Sequence, residues 1–365
     1  MSQQKERVHS LDVLRGLAAL SVVFWHWQHF FYSSGKLGTF LIQQQPFFNQ
    51  FELLYTHGSL AVELFFSISG FVFFWLYSDA ISEKKIKASK FAMDRFSRLY
   101  PLHIATFAFI AIAQTFYFQW HGSYFVYQEN DLRHAILNIL LIPAWGFEKG
   151  WSFNAPIWSV SVEVMLYALF FISMKTGRSR YALIGALALA GFFITPDNYK
   201  IGHGLYSFFL GGASYSINRK IFSAFGERVA LVVSAVVAAA SWVAIAYSKE
   251  LNMTLLMGLA YPSSMAFLFN LEKWIKPIAS QLSIIGEISY SSYLLHFPLQ
   301  LIFAMVVEKF GIDRHWFYSQ RMFVVFMLVL IPLCLISHRY FEAPAQKAIR
   351  DAFRNKQQAK AWAPD

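Results

Sequence analysis

Long apolar runs recur along the whole 365-residue chain, and they constrain its fold more than any other feature. Runs of about eighteen or more residues with few charges are long enough to cross a bilayer as a helix. Only 14% of the residues are charged, whereas soluble domains carry about 25%. A spanning segment must satisfy its own backbone hydrogen bonds, and a helix does so. The sequence therefore predicts an all-α polytopic integral membrane protein.

The apolar runs divide into about ten predicted transmembrane helices. They lie at residues 11–31, 59–77, 98–119, 156–174, 181–195, 203–217, 229–247, 252–270, 283–307 and 321–340. The first run follows Lys5 and Arg7, so it begins as a signal peptide would. It is too long for one, and bulky Phe and Tyr residues follow it instead of a small-residue cleavage site. We expect it to remain as an uncleaved first span.

A shorter apolar segment near 132–145 contains Pro143, and the distribution of charge predicts whether it crosses. If it does not cross and the N-terminus is cytoplasmic, most of the 31 Lys and Arg residues lie inside, as the positive-inside tendency favours. We therefore expect the segment to be re-entrant or to lie flat on the outer face. Both termini are then cytoplasmic, with a transmembrane domain at 1–345 and a basic tail at 346–365.

Charge and cysteine content argue against other classes of protein. A net charge of +10 would suggest a nucleic-acid partner in a soluble chain, but here the topology accounts for it. The lipid bilayer is the expected partner, and nucleic acid is not. The single cysteine, Cys334, excludes an intramolecular disulfide and a zinc site built on several cysteines.

Two ionisable residues lie in the run LRGLAALSVVFWHW, residues 14–27 of the first predicted span. Arg15 lies near its cytoplasmic end, and His26 lies about 16 Å further along the helix, in the outer half of the membrane. Arg15 could be an interfacial anchor, and His26 could be a structural histidine bonded to a neighbouring helix. Ionisable residues inside a membrane are costly, however, and usually functional. His29 follows one turn later, but no third ligand is evident, so we expect no metal.

Two arginines lie together at the start of the third predicted span, in KFAMDRFSRLYP at 90–101. Arg95 and Arg98 are spaced i, i+3 and share a helix face. They could be topogenic charge, or they could clamp phosphate, because guanidinium groups bind phosphate in a bidentate manner. An acyl-coenzyme A would fit the second interpretation. Its phosphates would remain at Arg95 and Arg98, with Arg15 as a third donor-binding candidate, and its pantetheine arm would carry the thioester to the level of His26.

The motifs together resemble the membrane acyltransferase-3 family. Arg15 and His26 match its N-terminal signature of a basic residue, ten others and a histidine, in LDVLRGLAALSVVFWH. Five further segments resemble family motifs in the same order: GSLAVELFFSISGFVFF, RFSRLYPL, NAPIWSVSVEVMLY, ISYSSYLLHFPL and RYFEAP. Each motif is weak alone, but the six in order are specific and run from Leu11 to Pro344.

The resemblance implies an enzyme of the bacterial inner membrane that moves an acyl group from acyl-CoA, most often acetyl-CoA, to a carbohydrate hydroxyl. The acceptor could be a polysaccharide, a lipid-linked sugar or a smaller glycoside. It assigns the base to His26, the usual type of base near pH 7. Whether His26 acts directly or carries the acyl group covalently stays open, as does the oligomeric state. We expect no fused extracytoplasmic hydrolase-like domain of the kind that some members carry.

Two intramembrane carboxylates are further catalytic candidates, Glu63 in the second predicted span and Glu163 in the fourth. Glu163 belongs to a segment that resembles the family's Trp-Ser-x-x-x-Glu motif. We favour it as the group that orients His26 or the acceptor. Either carboxylate could instead form a structural pair with a buried histidine or hydroxyl.

Four residues are candidates for binding the acceptor. Trp158 and Ser159 lie just before Glu163, and Tyr290 and His296 lie in a segment rich in hydroxyl groups. Hydroxyls at this density could bind a sugar or donate to an oxyanion. They could equally hold helices together.

The main alternative is a proton- or solute-coupled transporter in which intramembrane His, Glu and Arg residues form a relay. Transporters often contain repeated halves, and no such symmetry is evident in the sequence. Binding or hydrolysis of acyl-CoA by the purified protein would separate the two, because a transporter should show neither.

Overall fold

The computed structural model describes the backbone of residues 7–362 and the side chains of residues 7–359. Most of that range is helical. The α-helices are α1 His9–Trp25, α2 Phe48–His57, α3 Ala61–Ser82, α4 Ala88–His121, α5 Leu132–Ile139, α6 Ile157–Lys175, α7 Arg180–Ile194, α8 Tyr199–Phe225, α9 Glu227–Ala246, α10 Met253–Leu255, α11 Tyr261–Glu287, α12 Ser289–Lys309, α13 Gln320–Ile336 and α14 Ala343–Trp362.

Shorter elements join or extend these helices. Segments of 3₁₀ helix lie at His26–Phe31, Ile42–Gln44, Gly58–Leu60, Gly177–Ser179 and Arg314–Tyr318, and π-helical segments at Leu256–Ala260 and Ser337–Glu342. A minimal antiparallel hairpin pairs β1, Tyr32–Ser33, with β2, Lys36–Leu37. Its turn residues, Ser34 and Gly35, both have positive φ, as a tight hairpin requires.

The all-α fold class is confirmed, and each of the ten predicted spans contains a helix. Six helical stretches of residues 7–362 are long and apolar enough to cross a membrane: Phe48–Ser82, Ala88–His121, Ile157–Lys175, Glu227–Ala246, Met253–Lys309 and Gln320–Ala359. The number of crossings stays a prediction. One boundary is wrong, since the predicted loop at 271–282 lies inside α11, which continues to Glu287.

The segment near 132–145 does not cross as a helix. Its helix, α5, has eight residues, which rise about 12 Å, less than half of the hydrocarbon thickness. The Asp131 side chain caps its start by accepting a hydrogen bond from the His134 backbone N–H at 2.8 Å. Leu141 has a φ of 58° just after its end. The sequence prediction for this segment is confirmed in that respect.

Basic residues from several predicted cytoplasmic segments meet at one end of the bundle, which we call the basic end. Their polar partners come from other segments that the predicted topology places on the same side. The pairs are Arg7–Glu287, Arg180–Ser82, Arg219–Asp79, Lys273–Glu227 and Arg350–Asp94. This arrangement agrees with the predicted alternation of the spans, while the orientation in the cell stays a prediction.

The C-terminal residues form a helix that docks on the bundle. Arg350 of α14 donates to Ser97 Oγ of α4 at 3.2 Å and pairs with Asp94. The expected basic tail at 346–365 is therefore helical as far as residue 362. Residues 1–6, with Lys5, and residues 363–365 lie outside the described residues.

Helices α3 and α8 pack backbone to backbone through glycines. A Cβ on Gly70 would collide with the Phe208 carbonyl, and one on Gly211 would collide with the Ser67 carbonyl. Small residues permit such close approach between helices in a membrane. The contact fixes α3 against α8, and each of these helices contributes a side chain to the candidate site.

Gly211→Ala is expected to destabilise the protein by about 2–3 kcal/mol, because the new methyl group must displace backbone. Gly185→Ala is the matched control, since a Cβ there meets open space within a helix. Thermal unfolding of both variants in the same detergent checks this. Equal midpoints for the two variants would contradict the close α3–α8 packing.

Candidate active site

Three histidines form a cluster where α1 ends. The chain changes from α-helix to 3₁₀ helix at His26, and residues i and i+3 of a 3₁₀ helix eclipse each other. The rings of His26 and His29 accordingly stack, with centroids 4.5 Å apart. The His296 ring of α12 also stacks with His26, with centroids 4.9 Å apart. We call these three residues the histidine cluster.

The hydrogen bonds of the cluster assign its tautomers. His296 Nδ1 lies 3.1 Å from the Ser292 carbonyl, which can only accept, so Nδ1 carries the proton. Neutral His296 then has an unprotonated Nε2, which lies 3.0 Å from His26 Nδ1 and accepts a hydrogen bond from its N–H group. His26 Nε2 is left unprotonated and has no hydrogen-bond partner among the described residues. His26 is thus held with its Nε2 atom available to accept a proton.

His29 stabilises this arrangement. Its Nδ1 donates to Gln300 Oε1 at 3.0 Å, and the Gln300 amide donates to the His26 carbonyl at 2.9 Å. The Tyr127 hydroxyl donates to His29 Nε2 at 3.3 Å. The cluster therefore offers a metal ion one free ring nitrogen, and the expectation of no metal stays a prediction.

Asn154 supports the helix that carries His296. Pro298 lies inside α12 and lacks a backbone N–H, so it leaves the Leu294 carbonyl without its helical partner. The Asn154 side chain donates to that carbonyl at 3.0 Å. Sequence analysis did not assign a role to Asn154, although a proline within an apolar span is a signal that a carbonyl needs another donor.

A cavity of about 730 Å³ lies beside the cluster, and we call it the histidine cavity. Its lining includes Trp25, His26, Glu63, Trp151, Trp158 and His203. Trp158, predicted to bind the acceptor, therefore shares a cavity with the candidate base. Glu63 is paired with His203, whose Nδ1 lies 2.9 Å from Glu63 Oε1.

Two further cavities lie toward the basic end. The arginine cavity, of about 170 Å³, is lined by Arg15, Arg95, Arg98, Ser159, Glu163 and Tyr290 among others. The entrance cavity, of about 560 Å³, reaches Arg7, Glu287 and Gln346. Arg15, Arg98 and Tyr290 line both of these cavities. All three arginines predicted to bind the donor are therefore brought together.

Two of these arginines have no carboxylate partner among the described residues. Arg95 donates to the Tyr77 hydroxyl at 2.8 Å and lies 5.2 Å from the ring centroids of Phe73 and Tyr77, while its Nε is buried without a partner. Arg98 makes no ion pair or hydrogen bond within the described chain. Arg15, in contrast, pairs with Asp12 at 3.1 Å. Unpaired guanidinium groups in a cavity wall favour an anionic ligand.

Glu163 lies with the arginines and not with the histidine cluster. Its Oε1 accepts a hydrogen bond from Ser69 Oγ at 2.5 Å. No hydrogen bond joins Glu163 to His26 among the described residues, and His296 bonds the His26 ring instead, so a role for Glu163 in orienting the acceptor stays a prediction. His26 and His296 come from the first and ninth predicted spans, which only the folded packing brings together.

The other predicted acceptor-binding residues are also placed differently. His296 belongs to the histidine cluster and does not line the histidine cavity. Tyr290 lines the arginine cavity and donates its hydroxyl proton to the Leu99 carbonyl at 2.5 Å. Ser159 lines the same cavity and hydrogen-bonds Tyr293 at 2.7 Å.

Tyr293 separates the two inner cavities. Among the described residues it alone lines both the arginine cavity and the histidine cavity. Its hydroxyl donates to the Pro156 carbonyl at 2.9 Å, and Ser159 Oγ lies 2.7 Å from it. A ligand that extends from the arginines to His26 must therefore pass this side chain.

A family model described as an acyltransferase domain matches residues 8–339. The chain belongs to the acyltransferase-3 family. It carries the acyltransferase domain of that family in an all-α polytopic fold, and the resemblance noted from its motifs is confirmed.

Three curated relatives show local similarity to this chain. Acyltransferase MdmB of Streptomyces mycarofaciens is 32% identical over 178 residues, which cover 45% of this chain and 38% of MdmB. Protein 2 in the picA locus of Rhizobium radiobacter is 36% identical over 112 residues, 30% of this chain and 48% of that protein. Exopolysaccharide production protein ExoZ of Rhizobium meliloti is 28% identical over 140 residues, 37% of this chain and 41% of ExoZ.

The matched segments cover less than half the length of each of these relatives. No solved structure matches this chain. Family membership therefore indicates a class of reaction to propose, and the roles proposed for individual residues rest on the geometry of this chain.

Proposed function

We propose that this acyltransferase takes an acyl group, most often acetyl, from acyl-CoA at the basic end and transfers it to a carbohydrate hydroxyl in the histidine cavity. One observation carries the proposal. His26 offers an unprotonated Nε2 beside a large cavity, and a second cavity with unpaired arginines lies on the other side of Tyr293. We place the enzyme in the cell inner membrane, with both termini in the cytoplasm.

The donor would enter through the entrance cavity and leave its phosphates near Arg95 and Arg98. Coenzyme A carries several negative charges, and bidentate guanidinium contacts suit phosphate. Its arm then extends along α1 from Arg15 toward His26, a rise of about 16 Å over eleven residues. The small volume of the arginine cavity, about 170 Å³, favours a slender arm and a short acyl group.

The chemistry requires one base. The acceptor hydroxyl gives its proton to His26 Nε2 as its oxygen attacks the thioester carbonyl carbon, and the carbon–sulfur bond then breaks. The departing thiolate takes the proton back from His26, so an ester and free coenzyme A are formed. His296 accepts a hydrogen bond from the Nδ1–H group of His26 and so keeps the ring oriented throughout, without taking that proton. An acyl-histidine route would begin from the same Nε2 atom.

The acceptor class is supported by the site and by a relative. ExoZ is described as an exopolysaccharide production protein, and the histidine cavity contains tryptophans that suit the apolar faces of a sugar. We propose a polysaccharide, a lipid-linked sugar or a smaller glycoside as the acceptor.

Labelled acetyl-CoA and a panel of glycosides, supplied to purified protein in nanodiscs, test the function. We expect a labelled sugar ester and free coenzyme A in equal amounts. Mass spectrometry of surface glycans with and without the gene identifies the natural acceptor. A protein that neither binds nor consumes acyl-CoA would contradict the proposal and favour the proton- or solute-coupled transporter.

His296→Ala is expected to lower kcat by about 10²-fold with little change in the KM for the donor, because His26 loses the acceptor that fixes its tautomer. His296→Gln should recover part of the rate, since an amide oxygen can accept the same proton. His57→Ala, an exposed histidine, is the matched control. Equal rates for the alanine and glutamine variants would contradict the positioning role.

A further inference from the structure

A second pair of titratable side chains lines the histidine cavity. Glu63 lies in the first turn of α3 and His203 lies in α8, and the two are joined by a 2.9 Å hydrogen bond. Glu63 is 7% exposed. The backbone contact between α3 and α8 holds the pair in place. The reaction proposed for His26 does not use it.

One carboxylate oxygen of Glu63 lacks a partner. His203 Nδ1 donates to Oε1, whereas Oε2 is buried and accepts no hydrogen bond within the described part of the chain. A buried oxygen without a donor is costly, more so when it carries charge. A carboxylate only accepts hydrogen bonds. The missing group must therefore be a donor, such as a hydroxyl.

Aromatic rings lie next to the Glu63–His203 pair. The rings of Trp151 and Trp158 are 6.3 Å apart, and Tyr199 lies 6.1 Å from Trp158 and 6.0 Å from His203. All of these side chains line the same cavity as Glu63 and His26. An apolar wall with a few fixed polar groups is typical of small-molecule sites. A sugar matches it, with an apolar face for the rings and hydroxyls for the carboxylate.

We propose that Glu63 Oε2 binds a hydroxyl of the acceptor sugar that is not acylated, so that a neighbouring hydroxyl reaches His26 Nε2. His203 holds the carboxylate through its other oxygen. Glu63 is then a specificity-determining residue that selects the position of acylation, whereas the sequence suggested a catalytic candidate that supports His26. This inference rests on the proposed transfer to a carbohydrate.

Glu63→Gln tests the proposal through acceptor binding and product structure. We expect the acceptor dissociation constant to rise roughly ten- to hundredfold, because a hydrogen bond to a charged group is lost. We also expect NMR to show the acyl group spread over several positions of the sugar. Donor binding should not change. Glu250→Gln is the control, an exposed glutamate outside the cavity.

Sugar binding is measured without donor, by tryptophan fluorescence, with methyl hexopyranosides and their monodeoxy analogues. On wild-type protein, removal of one particular hydroxyl should weaken binding by about the same factor as Glu63→Gln, and the two losses should not add. This wild-type series needs no variant to fold. Equal binding of all monodeoxy analogues, or binding of no glycoside, overturns the inference.

The failure of this inference can be told from failure of the proposed function. Wild-type protein that acylates glycosides while Glu63→Gln keeps the same affinity and the same product position overturns only the role of Glu63. Wild-type protein that consumes no acyl-CoA overturns the proposed function, whatever the fluorescence titrations show.

Discussion

Replacing His26 with alanine is expected to reduce acyl transfer by about 10³-fold while the protein still folds. His26 Nε2 is the free ring nitrogen of the histidine cluster, since the other nitrogens are engaged by Ser292, Gln300, Tyr127 and one another. Rates at saturating donor and acceptor, with gel filtration as a measure of folding, check the effect.

His57→Ala is the control for this experiment, because it removes an exposed histidine outside the cavities. A His26 variant that folds and retains the wild-type rate would remove the assigned base. Label on wild-type protein after incubation with labelled donor alone, if hydroxylamine releases it and the His26→Ala variant lacks it, would favour the covalent acyl-histidine route over direct attack.

Arg95→Ala combined with Arg98→Ala is expected to weaken coenzyme A binding about 100-fold or more. Each guanidinium makes charge-assisted hydrogen bonds worth about 1.5–3 kcal/mol, and 1.4 kcal/mol corresponds to a factor of ten. The KM for the glycoside should change little, because both arginines lie on the far side of Tyr293 from the histidine cavity. Isothermal titration with coenzyme A measures the effect directly.

Arg178→Ala is the matched control, since Arg178 is an exposed arginine at the basic end that does not line the arginine or entrance cavity. Equal affinities of the double variant and the wild type would assign Arg95 and Arg98 to topology alone. Both variants should insert normally, because many other basic residues remain on that side.

The membrane fold was accessible from sequence because its determinants are local. Apolar length marks a span, and charge marks the side on which a loop lies. The i, i+3 spacing of Arg95 and Arg98 likewise predicted a shared face, and both line one cavity. The exception is 271–282, where charged residues suggested a loop and tertiary contacts with α1 support a helix instead.

The partners within the site were not accessible, because they are distant in sequence. His26 and His296 are 270 positions apart, and Glu63 and His203 are 140 apart. His203 was overlooked although it lies within a predicted span, where an ionisable residue indicates function. The same rule that selected His26 would have selected it.

The separation of Glu163 from Trp158 could have been predicted from their spacing. Glu163 lies five positions after Trp158, which is a rotation of about 140° on a helix. The two side chains therefore point in different directions, and they line different cavities. Their proximity in one motif suggested a shared role that the helical period argues against.

Tyr293 has a consequence for the cell as well as for the reaction. An open passage joining the entrance, arginine and histidine cavities would let protons and small ions run down the membrane voltage, which is worth about 2.3 kcal/mol per charge at 100 mV. The Tyr293 hydroxyl is hydrogen-bonded to Pro156 and Ser159, which holds the ring between the two inner cavities. In the proposed reaction, a donor that displaced this ring would fill the gap with its own arm, so acylation would not dissipate the gradient that energises the membrane.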